Sequence, residues 1–286
     1  MALETDPDKA SNAFKIGAVC VSSRFDRSRA EAVQGWMTEH YSDGSVSVVF
    51  HPNSFLKSGH FAGDDQARAD AFVEFANDPR IHAVWFARGG YGSCRVAEAI
   101  IPRLNPVARQ KRYLGYSDAG SLMAAMYKAG FMNIAHGPMA SDAVRSDATA
   151  ERALAWLTRG DTALLEPSLA TDPRPAVAFN LTVLDQLLGT PLEPDLTGHV
   201  LMLEDVSEAA YRIDRMMFHL TSQPSIRRVA GIRAGRFTDV TVNEPDFGLT
   251  PEQIVQHWCE RSGIPYLGPA DIAHDRNNKV VPFGPR

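Results

Sequence analysis

Three kinds of side chain in this sequence could together break an amide: a serine in GYSDAG (Ser117), the acids of LEDV (Glu204, Asp205) and a histidine in AHDRNN (His274). A hydroxyl is a weak nucleophile until a base takes its proton, and an imidazole becomes that base when a carboxylate fixes its tautomer. The order Ser…Glu…His is permissible, because such triads are defined by geometry and not by position in the chain. Ser117 follows an apolar run and precedes a helical stretch, the context in which a tight turn lifts a hydroxyl clear of the backbone. GYSDAG lacks the second glycine of G-x-S-x-G, so the plain alternative is that Ser117 or Asp118 caps the helix. Glu204 and Asp205 likewise either orient a histidine or cap a helix and pair with Arg212 and Arg215.

A second glycine turn, ARGGYGS at 87–93, also joins an apolar run to a helix. It matches neither G-x-G-x-x-G nor the lysine-containing phosphate loop. Gly89 and Gly90 would let backbone N–H groups approach a reacting carbonyl oxygen; the bland alternative is a simple tight turn. Cys94 follows at a helix start, where a thiol pKa is lowered, and is a rival nucleophile. His136 in AHGPMAS is the rival base. Arg88 either offers a bidentate fork to a substrate carboxylate or forms a structural pair.

These residues need a scaffold. The first half alternates apolar runs (14–22, 45–50, 81–87, 111–117) with helical stretches (27–40, 64–79, 93–104, 119–130), Gly130 closing the last. Uninterrupted apolar strands in a βαβα rhythm predict a doubly wound, mostly parallel α/β sheet covered on both faces. Ligands of such sheets gather at the carboxyl ends of strands, which would set the two turns side by side. Residues 161–178 hold three prolines and little periodicity, as a connection would. The expected division is therefore a nucleophile-bearing domain over 1–160, a linker over 161–178 and a smaller mixed α/β domain over 179–286. The latter is read as strands at 199–206 and 228–237, helices at 209–223 and 250–262, and a short polar tail.

With 286 residues and 44% hydrophobic content, the chain can fill one large core or two modest ones. A net charge of −5 without a basic block gives no broad attraction to nucleic acid or anionic membrane. The acidic start MALETDPDKASNAFKIG has neither the basic beginning nor the apolar centre of a secretory signal. No apolar run nears the ~20 residues that cross a bilayer. Three scattered cysteines suit neither a disulfide framework nor a zinc site. The expectation is a cytosolic protein without metal or cofactor.

Taken together, IGAVCVSS, ARGGYGS, GYSDAGSL, AHGPM, LLGTP, LEDVSEAAYRIDRM and AHDRNNKVVPFG resemble the LD-carboxypeptidase (muramoyltetrapeptide carboxypeptidase) family, whose relatives include the microcin C immunity peptidases. The resemblance covers nearly the whole chain. It implies a serine peptidase with Ser117 as nucleophile, Glu204 as orienting carboxylate and His274 as general base. The backbone N–H groups of Gly90 and Asp118 would form the oxyanion hole, the site would lie between the two domains, and the chain would form a homodimer. Arg88, Tyr91, Phe179 and Asn180 are the candidate substrate contacts. The family's usual Gly-Gly-Asn-Leu is Ala178-Phe179-Asn180-Leu181 here, which puts substrate choice in doubt. Ala273 stands where a glycine commonly precedes the histidine, and Val21 where a proline is usual.

The resemblance implies release of a terminal D-alanine from a murein tetrapeptide during peptidoglycan recycling. Its alternatives are an aminoacyl-nucleotide amide, as for the immunity peptidases, or a catalytically silent peptide-binding module.

Overall fold

The computed structural model describes residues 13–285; the first twelve residues, most of the stretch read above as lacking a secretory signal, lie outside them. The first half runs β1 (Phe14–Val19), α1 (Arg27–His40), β2 (Val46–Phe50), α2 (Asp65–Asn77), β3 (Ala83–Phe86) and α3 (Ser93–Ile100). It continues through α4 (Pro106–Gln110), β4 (Arg112–Gly115), α5 (Ala119–Lys128), β5 (Ile134–His136), α6 (Ala140–Ala143) and α7 (Asp147–Leu154). Strands β5, β4, β3, β1 and β2 lie in that order, each parallel to its neighbours.

Local chemistry sets the boundaries. Asp64 starts α2 by accepting the Ala67 N–H at 2.8 Å. Beyond α5, Gly130 takes a φ of +85°, which closes the helix as its position predicts. Successive residues of β3 bury both faces. Val84 and Phe86 pack with Phe72, Tyr113 and Leu122 on the side of α2, α3 and α5. Ala83 and Trp85 pack with Ala30, Ala140 and Leu154 on the side of α1, α6 and α7. That two-sided burial is why the strands read as continuous apolar runs.

The second half comprises β6 (Ala176–Asn180), α8 (Leu181–Leu187), β7 (Val200–Val206), α9 (Ala210–Ser222), β8 (Gly231–Thr238), α10 (Pro251–Ser262) and β9 (Tyr266–Pro269). Its strands form a separate parallel sheet in the order β6-β7-β8-β9. The core beside α5 continues without a break into Phe179, Leu184 and Ile213, so the two sheets share apolar packing.

Two boundaries differ from the sequence reading. The 161–178 connection ends inside β6, where Ala176, Val177 and Ala178 are buried strand residues. The expected polar tail is buried from Val280 to Gly284, because β10 (Val281–Pro282) returns to the first sheet and pairs antiparallel with β5.

Candidate active site

Ser117 sits between β4 and α5 with φ +56°, a left-handed conformation that a non-glycine residue adopts at a cost of roughly 1–3 kcal/mol. Neither Ser117 nor Asp118 caps α5 with its side chain, so the capping alternative fails. The buried Asp118 carboxylate instead accepts the Ser22 hydroxyl and, at 2.8 Å, the Ser93 N–H that opens α3. The Ser93 hydroxyl donates to the Asp118 carbonyl. One residue thereby ties together the ends of β1, β3 and β4.

The glycine turn lies against this corner. A methyl on Gly89 would stand 3.0 Å from Ser117 Oγ, so the serine occupies the space a side chain would fill. Gly90 has φ +113° and passes directly beside Ser23. Among the described residues, neither the Gly90 N–H nor the Asp118 N–H donates to another group of the chain. Two unused backbone donors therefore flank the serine, as an oxyanion would require.

Glu204 is wholly buried on β7 and accepts from His274 Nδ1 at 2.5 Å. With the carboxylate ionised, Nδ1 carries the proton and Nε2 presents its lone pair. Burial pushes the His274 imidazole down, but the charge and hydrogen bond of Glu204 outweigh it and hold the group above its ordinary value. Burial drives the Glu204 carboxyl up, with His274 opposing. His274 Nε2 is buried and has no hydrogen-bond partner, Ser117 Oγ included. The His274 ring lies 4.6 Å from that of Tyr116, the residue preceding the serine. Catalytic hydrogen bonds in unliganded enzymes are often open and tighten on substrate binding.

The loop bearing His274 is clamped from several sides. Arg236 on β8 grips Asp275 at 2.8 and 3.0 Å and also bonds Asp271. Arg152 on α7 donates to the carbonyls of Arg276 (2.5 Å) and Asn278 (3.1 Å). Asn278 Oδ1 accepts the Ala273 N–H at 3.1 Å. The sequence reading missed Arg236 and Arg152, since these contacts span 35 or more residues and carry no local signal.

A cleft of about 490 Å³ opens in front of Ser117, between α3 and α8. Gly90, Tyr91, Asp118 and Asn180 line it. Asn180 caps α8 through the Val183 N–H at 3.1 Å and donates to Asp205 at 2.8 Å. Two expected substrate contacts lie elsewhere. Phe179 is 1% exposed and packs on Phe283 with ring centroids 5.1 Å apart. Arg88 is exposed and donates to the Arg24 carbonyl at 3.0 Å, off the cleft lining. Cys94 lines the cleft. His136, the rival base, is buried behind Tyr116, and burial pushes its imidazole down to about 3. Asp205 caps α8 through the Thr182 N–H at 2.9 Å, while Arg212 pairs with Glu208 at 2.6 Å. Among the described residues, no three or more His, Cys, Asp or Glu side chains are grouped to hold a metal, and no helix is long and apolar enough to cross a membrane.

Comparison with known proteins places this geometry. The LD-carboxypeptidase N-terminal domain matches residues 16–137, and the LD-carboxypeptidase C-terminal domain matches residues 175–286. A Bacillus subtilis protein named "Probable murein peptide carboxypeptidase" is 30% identical over 240 residues, covering 79% of this chain and 74% of its own length. The muramoyltetrapeptide carboxypeptidase from Oxalobacter formigenes shares the fold with a TM-score of 0.79 at 22% identity, over 94% of this chain and 92% of that one. The microcin C7 self immunity protein MccF, in complex with glutamyl sulfamoyl guanosine, shares it with a TM-score of 0.78 at 18% identity, over 96% and 92%. With both family domains matched in order around the serine corner, this chain belongs to the LD-carboxypeptidase family and is a serine-type carboxypeptidase, a hydrolase.

Proposed function

We propose that the protein hydrolyses an L,D-amide bond with Ser117, His274 and Glu204 as a triad, releasing the terminal D-alanine of a murein tetrapeptide. The observation that carries this reading is the 2.5 Å bond between buried Glu204 and His274 Nδ1, which leaves Nε2 unpartnered beside the Ser117 corner. Ser117 Oγ bonds to the scissile carbonyl carbon as its proton passes to Nε2. The carbonyl oxygen takes up negative charge against the N–H groups of Gly90 and Asp118. His274 then gives the proton to the leaving amine as the C–N bond breaks. A water, activated by the same imidazole, cleaves the acyl ester and restores the serine.

The names of the Bacillus and Oxalobacter proteins favour a murein peptide, while MccF makes an aminoacyl-nucleotide amide the second candidate. In this reading the protein works in the cytoplasm on murein fragments, as a homodimer, with no nucleic-acid or membrane partner.

The test is release of D-alanine from a sugar-free murein tetrapeptide by wild type and by Ser117→Ala. Wild type should release it, and the variant should be slower by at least about 1,000-fold. A folded wild type that releases none, yet cuts a glutamyl sulfamoyl nucleoside, would move the substrate to the second candidate.

A further inference from the structure

In the proposed reaction His274 returns its proton to the leaving amine, so that nitrogen must come within hydrogen-bond reach of Nε2. When the leaving group is one terminal amino acid, its carboxylate sits on the carbon next to that nitrogen. A counter-ion for it has to stand beside His274. The cleft in front of Ser117 supplies none: Glu98, Asp205 and Glu208 line it, and no lysine, arginine or histidine does.

Of the arginines around the His274 loop, Arg236 is taken up by Asp271 and Asp275, and Arg152 is buried against backbone carbonyls. Arg276 is exposed, and among the described residues its side chain has no hydrogen bond or ion pair that would aim it. Arg145 differs. Its Nη1 donates to the His274 carbonyl at 3.3 Å, and its Nε pairs with Asp142 at 3.2 Å. The Asp142 side chain is 2% exposed and that of Arg145 is 47% exposed, so a guanidinium anchored on the backbone of the His274 loop opens to solvent. Asp142 is itself fixed by the Met139 N–H at 3.0 Å, and the Met139 side chain reaches Gly89 next to Ser117. A guanidinium held at Nε and Nη1, with no partner for Nη2 among the described residues, is preorganised for a carboxylate.

We infer that Arg145 binds the terminal carboxylate of the substrate and so restricts cleavage to the chain end. The inference rests on the peptidase reading above. It assigns to Arg145 the task that the sequence offered to Arg88.

The experiment compares a murein tetrapeptide bearing a free C-terminal acid with its C-terminal amide, in wild type, Arg145→Met, Arg145→Lys and Arg276→Met. Wild type should prefer the acid. Arg145→Met should lower that preference roughly 10- to 100-fold, mainly through KM, as loss of a charged hydrogen bond predicts. Arg145→Lys, which keeps the charge beside Asp142 and guards against misfolding, should recover part of the preference. Arg276→Met should keep all of it. Equal cleavage of acid and amide by wild type overturns the inference while leaving the peptidase intact. So does an unchanged preference in both Arg145 variants, or its collapse in Arg276→Met. Cleavage of neither peptide by wild type overturns the murein-peptide reading, and the inference falls with it.

Discussion

Gly235 on β8 stands so close to Glu204 on β7 that a methyl in its place would lie 2.9 Å from the glutamate Cβ. The same methyl would meet the Ile272 carbonyl at 2.8 Å, two residues before His274. The glycine lets the carboxylate and the histidine loop close on one another.

Gly235→Ala should therefore do two things. Overpacking against backbone that cannot yield should cost about 1–3 kcal/mol, read by denaturant unfolding. Displacement of Glu204 or His274 by a fraction of an ångström should reduce kcat by roughly 100-fold. A variant with normal kcat and lowered stability would show that the close approach serves packing alone.

Glu204→Gln tests the electrostatics of the pair. With Glu204 holding the imidazole above its ordinary value of 6.5, wild-type activity should fall as pH drops through a midpoint above 6.5, because protonated Nε2 cannot accept the serine proton. Removing the carboxylate charge should move that midpoint down and lower kcat/KM by about 10,000-fold. A midpoint that stays in place would detach Glu204 from the titrating group.

Phe179 replaces a glycine of the family pattern, yet it fills the core between Phe283 and Gly120 of α5. Phe179→Ala should cost about 3–5 kcal/mol of stability and leave KM unchanged, measured by thermal unfolding and by substrate titration. A shifted KM without loss of stability would return Phe179 to the substrate.

Elements whose signal is local were readable from the sequence. The apolar run 81–87 contains β3, and the helical stretch 27–40 coincides with α1. Ser117, Glu204 and His274 stood out through their flanking motifs, and the structure brings Glu204 and His274 into contact with Ser117 nearby. What stayed hidden depends on distant partners. A two-residue strand such as β10 has no period to detect, and its neighbours Ala135 and His136 lie some 146 residues earlier in the chain. Gly235 looks like any glycine in RAGRF until Ile272 arrives from another segment. Arg88 appeared suited to an anion because its side chain was known and its direction was not; the structure turns it toward Arg24.

The antiparallel return of β10 to β5 has a consequence for biosynthesis. While the chain is still leaving the ribosome, the first sheet lacks its edge strand and Glu204 has no imidazole to hold. Both are supplied by the stretch from His274 to Phe283, which follows the other strands of both sheets in the chain. A nascent chain can thus build most of its hydrophobic interior early, yet the carboxylate–imidazole pair is assembled only once this later stretch has emerged.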